Sequence, residues 1–121
     1  MKKYVYATFL FFILTALTGI WMRAYLLSPT PWIDYDHILH AHSHLALLGW
    51  IFIGAFIIFL SLYWEKIESR KHALVILAAL VISSLLMFFA FLYQGYGVFS
   101  IALSTIHIWV EYWAGIFILR Q

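Results

Sequence analysis

Cysteine is absent from the 121 residues. That excludes disulfides, iron–sulfur clusters and thiolate zinc sites. Proline occurs twice, both times within Ser28-Pro29-Thr30-Pro31, so no other stretch is barred from helix by a missing backbone donor. Charge is scarce: 10% of residues are Asp, Glu, Lys or Arg, against 66% hydrophobic. A soluble domain carries about 25% charged residues. The formal net charge of +2 comes from loop lysines and arginines and does not describe a nucleic-acid surface.

Four long apolar runs are present instead. They cover about residues 4–27, 37–64, 72–94 and 98–119, and a helix of about 20 apolar residues spans a bilayer. The chain therefore reads as one all-α domain over 1–121, an integral membrane four-helix bundle. The first run is longer than a signal-peptide core and has no small-residue cleavage site, so it reads as a retained helix. The breaks have local causes. The Pro29 and Pro31 segment ends the first helix. Asp34 or Asp36 can cap the second. The Glu65-to-Lys71 run is too charged for hydrocarbon, and Gln94-Gly95-Tyr96-Gly97 makes a tight turn.

Charge placement predicts orientation. Lys2, Lys3, Lys66, Arg70, Lys71 and Arg120 fall on one side, and Arg23 lies toward the other. The positive-inside rule puts both termini in the cytoplasm, in a bacterial-type inner membrane. Trp21, Tyr25, Trp32 and Tyr35 suit an external aromatic belt, and Tyr63 and Trp64 an internal one.

The chemistry concentrates in His37-Ile-Leu-His40-Ala-His42-Ser-His44. Four of the six histidines open the second apolar run there. Ionisable groups entering a bilayer mark function, and imidazole is the commonest metal ligand and a usual axial ligand of haem. On a helix, His37, His40 and His44 share one face, whereas His42 points about 200° away from His40 and His44. Three uses follow. His42 and His44 can reach two different neighbours or two different sites, haem among the possible ligands, with His40 nearby and Arg23 able to neutralise an anionic group such as a propionate. Alternatively, His37, His40 and His44 form a facial nitrogen site for copper or zinc, completed by Asp34, Asp36 or water. Or the imidazoles act as interhelical hydrogen bonds in a non-catalytic assembly or accessory subunit. Arg23 can equally snorkel to headgroups, and His72 follows the basic loop as a helix-start residue.

His107 and Glu111 form a second constellation, four residues apart on one helical face. A carboxyl group at that depth is paired, protonated or turned to water. A proton relay, a quinone-binding pair, a supporting partner to a metal ligand, or a structural hydrogen bond all suit it.

The segment His40-Ala-His42-Ser-His44-Leu-Ala-Leu-Leu-Gly49-Trp50 resembles the histidine-bearing second helix of subunit I in the haem-copper oxidase superfamily. The resemblance is strongest to the branch of C-family cytochrome oxidases and nitric oxide reductases. It implies haem b, with His44 or His42 as the low-spin ligand and propionates on the external side. Subunit I of that superfamily has pseudo-threefold symmetry, with arcs of four helices, and this chain has the length of one arc. No His-His pair for a copper centre is present, and the residue four after His107 is Glu111 rather than the tyrosine of a cross-linked site. The resemblance therefore implies an electron-transfer protein rather than a complete oxygen reductase. A homotrimer would rebuild the family's shape, with His42 of one protomer and His44 of the next on one haem, and a quinol or redox protein as partner.

Overall fold

The computed structural model describes residues 1–121. Its four helices are α1 (Lys2–Leu27), α2 (Tyr35–Tyr63), α3 (Arg70–Gln94) and α4 (Val98–Leu119). Each is long and apolar enough to cross a bilayer. The chain is an all-helical integral membrane protein.

Most helix ends lie within two residues of the sequence expectation, and their chemistry explains the differences. α2 starts at Tyr35 because Asp34 is extended and its carbonyl accepts the His37 amide at 3.1 Å. The Asp34 side chain makes no cap bond. α3 starts at Arg70, with Ser69 Oγ accepting the His72 amide at 3.4 Å. Between α3 and α4, Gln94 Oε1 accepts the Phe99 and Ser100 amides at 2.8 and 3.1 Å. These are donors that a helix start leaves free. Gly95 makes the turn at φ 57, a region closed to side chains. A Cβ there would also run into the His37 ring.

α3 is the hub and packs on every other helix. α1 and α4 lie on opposite flanks and share no packing interface. The bundle is therefore open rather than closed. Burial agrees: 44% of the apolar window of α3 is buried, but only 17% of those of α1 and α4. Phe9, Leu17 and Ile20 on α1, and Ile101, Trp109 and Tyr112 on α4, are turned outward. In lipid there is no hydrophobic force to cover them. The core between the helices is built from Phe11, Leu45, Leu60, Leu80, Met87 and Phe91, all fully buried. Tyr4 fastens α1 to α3 by donating to the Leu74 carbonyl at 3.1 Å. In the α1–α2 connection, Trp21 donates to Thr30 Oγ1 at 2.9 Å and Tyr25 to the Ile33 carbonyl at 3.0 Å.

The middle of α2 departs from α geometry. Leu45–Phe52 is a π-helical segment that begins directly after His44. Its turns are wider. Leu45, Gly49 and Ile53 are each buried and fall four residues apart. In an α-helix that spacing would drift about 40° per step. The same step continues into the α-helical flanks, from Ala41 to Leu45 and from Ile53 to Ile57. Gly49 sits in a close contact, because an added Cβ would stand 2.8 Å from Leu45 Cδ1 of its own helix and 3.3 Å from Phe11 Cδ2 of α1, so those side chains would have to shift. Such segments recur at functional sites.

Candidate functional site

Three of the four histidines of α2 are held individually, each through the same ring atom. His42 Nδ1 lies 2.9 Å from the Thr15 carbonyl and 3.0 Å from Thr18 Oγ1 on α1. His44 Nδ1 lies 2.9 Å from the His40 carbonyl one turn back. His37 Nδ1 lies 3.2 Å from the Leu92 carbonyl on α3. A carbonyl can only accept, so Nδ1 is the protonated nitrogen in each ring. The neutral imidazole then carries its lone pair on Nε2. Metal-binding histidines are oriented in this way by their second nitrogen.

His42 and His44 face different parts of the molecule, as their spacing requires. His42 sits against α1. An added Cβ on Gly19 would come 3.2 Å from its Cε1, so the glycine makes room for the ring. Beside it lies an open groove of about 540 Å³ lined by Ala16, Gly19, Arg23, Leu26, Tyr35 and His42 among others. Ligand pockets are typically about 300–1,000 Å³. Arg23 is exposed and forms no ion pair. His44 instead stacks on Phe91 of α3, with ring centroids 4.4 Å apart and planes 30° apart. It also borders a smaller groove with Ser43, Leu47 and Leu48.

His37, His40 and His44 do not assemble a nitrogen site within one chain. No set of three His, Cys, Asp or Glu side chains is placed to hold a metal ion. The shared face is real, but each ring has its own partner. His37 is drawn to Leu92 and lies 3.9 Å from Asp34. His40 meets the Tyr96 ring edge-on at 4.3 Å, and its centroid is 6.3 Å from that of His44. Asp34, Asp36, His37, His40, Gln94 and Tyr96 line a separate polar groove at the same end of the molecule.

His107 and Glu111 do come together on α4. His107 is fully buried, and its Nε2 lies 3.5 Å from Glu111 Oε1. Its Nδ1 lies 2.6 Å from Ser83 Oγ on α3. His72 is not merely a helix-start residue: its Nε2 accepts from the Trp113 indole at 2.9 Å, tying α3 to α4 near the basic end.

The sequence pointed to the imidazoles and not to what holds them. Thr15, Thr18, Gly19 and Ser83 are the supports that it did not single out. Their signal was present as small and weakly polar residues inside apolar spans, which mark close helix contacts.

The fold and site thus define an integral membrane helical protein with ring-anchored histidines at one end. No protein-family model, curated protein or solved structure matches this chain.

Proposed function

We propose that this chain binds haem b through His42 and His44 and transfers electrons, as a single-arc relative of haem-copper oxidase subunit I. The observation that carries the reading is His42. Its Nδ1 is committed to α1, its Nε2 lone pair is free, and the groove beside it contains Arg23. These residues fit the group. The imidazole supplies an axial nitrogen, Arg23 a cation for a propionate, and the apolar wall the remainder. Bis-histidine haem supplies one-electron transfer with both axial positions filled.

One protomer does not supply both ligands to one haem, because His42 sits against α1 and His44 against α3. The outward faces of α1 and α4 are uncovered, which leaves both edges available to further copies. A ring of three, joined by one repeated heterologous contact, gives three equivalent sites from one sequence. With the basic end of the chain inside, the histidines lie toward the outer face of a bacterial inner membrane, where a quinol or a redox protein is the electron partner.

The test is expression with haem supplied, purification in mild detergent, and oxidised and reduced spectra. Sharp reduced bands of a low-spin b haem, lost in both His42→Ala and His44→Ala, are expected. A colourless protein under haem-replete conditions overturns the proposal. Copper and zinc analysis of that sample then decides between a metal protein and an accessory subunit.

A further inference from the structure

Two buried polar atoms face each other with no hydrogen bond between them: His107 Nε2 and Glu111 Oε1. They lie 3.5 Å apart in the middle of α4. His107 is wholly enclosed, and the Glu111 side chain is 17% exposed. On the other side of the ring, Ser83 Oγ lies 2.6 Å from Nδ1 and 3.2 Å from the Leu80 carbonyl.

The hydrogens can be counted. Ser83 has one, and the Leu80 carbonyl can only accept. If Ser83 donates to Leu80, its oxygen accepts the Nδ1 proton of His107. Nε2 is then a bare lone pair facing a carboxyl oxygen. Two acceptors do not bond, so one further proton completes the contact. Without that proton on the pair, a net negative charge stands inside an apolar span, which is costly. With it, the pair is neutral and every polar atom in the row from Leu80 to Glu111 has a partner.

We propose that His107 and Glu111 form an intramembrane proton-binding site, with the proton on Glu111 donated to His107 Nε2. The ligand is a proton, and Glu111 is the opening through which it is exchanged, because His107 has no exposure. Ser83 is a positioning residue that fixes which ring nitrogen faces Glu111. Among titratable groups, His44 lies within electrostatic range from α2, and α3 brings His72 against Trp113 further toward the basic end. α1 shares no packing interface with α4. The proposal is independent of haem.

Infrared spectroscopy of the haem-free protein in lipid nanodiscs at neutral pH tests it. The other carboxyl side chains, Asp34, Asp36, Glu65 and Glu68, are exposed, so the difference between wild type and Glu111→Gln isolates the buried one. The expected result is one protonated-carboxyl C=O band that moves down in D2O and is absent in Glu111→Gln. In Ser83→Ala the band persists at a shifted frequency. His107→Asn, which alters the acceptor without touching the carboxyl group, is expected to shift it too, and serves if Glu111→Gln does not fold. Absence of any such band from the folded wild-type protein overturns the proposal, as does a band that survives Glu111→Gln.

Discussion

His42 of α2 is tied to Thr15 of α1 by a 2.9 Å contact from its Nδ1 to a main-chain oxygen. The anchor cannot be removed by changing a side chain, because the acceptor is backbone. The neighbouring Thr18 hydroxyl, 3.0 Å from the same nitrogen, is a second hold that can be removed.

Thr18→Val is therefore expected to weaken haem retention without abolishing it. Loss of an outer-shell partner lowers metal affinity by about 10–100-fold. The surviving Thr15 contact puts the expected loss near the lower end, about 10-fold. Haem dissociation followed with a haem scavenger measures it. An unchanged rate would show that Thr18 does not orient His42.

Gly19 offers a graded test of the same ring. Its missing Cβ would stand 3.2 Å from His42 Cε1, so Gly19→Ala asks the imidazole to yield by a few tenths of an ångström. Gly19→Leu displaces it. Retained helix content by circular dichroism, with low-spin bands kept in the alanine variant and lost in the leucine variant, is expected. Bands that survive in Gly19→Leu would sink the placement of haem beside α1.

Gly95→Ala is expected to destabilise the protein for two separable reasons. Its φ of 57 lies outside the range of side-chain-bearing residues, a strain of about 1–3 kcal/mol. Its Cβ also meets the His37 ring. Combining Gly95→Ala with His37→Ala removes the collision and leaves the backbone strain. Thermal unfolding in detergent should show the double variant recovering part of the loss, a coupling that independent sites do not show.

Ser83→Ala leaves one nitrogen of a fully buried ring without its partner. An unsatisfied buried donor costs about 1–3 kcal/mol. Unfolding measurements on Ser83→Ala and on Ser84→Ala make the comparison, since the Ser84 hydroxyl is buried but has no partner to lose. Equal effects would mean that the Ser83–His107 contact adds nothing.

Much of the fold was legible because apolar runs of bilayer length leave few alternatives. The turn between Gln94 and Val98 was readable from its glycines. The opposed directions of His42 and His44 followed from about 100° per residue. Partner choice was not readable. The stripe of His37, His40 and His44 allows one shared site as an alternative to haem, yet Leu92, Tyr96 and a local carbonyl each claim one ring. Those partners lie far along the chain or in the main chain, where side-chain spacing carries no signal. The capping role of Gln94 and the link between His72 and Trp113 were hidden for the same reason. The π segment left no distinguishing trace, because buried positions four residues apart run from Ala41 to Ile57 through its α-helical flanks as well.

That segment makes α2 two helices in series, each with its own angular setting. Its π turns advance less per residue than the about 100° of an α-helix, so the angular setting of Ile53–Tyr63 relative to the histidines depends on the segment between them. Ligand direction and core packing are thus adjustable separately along one continuous rod. A designer could re-aim the imidazoles by indexing this joint while leaving the sequence on either side of it intact.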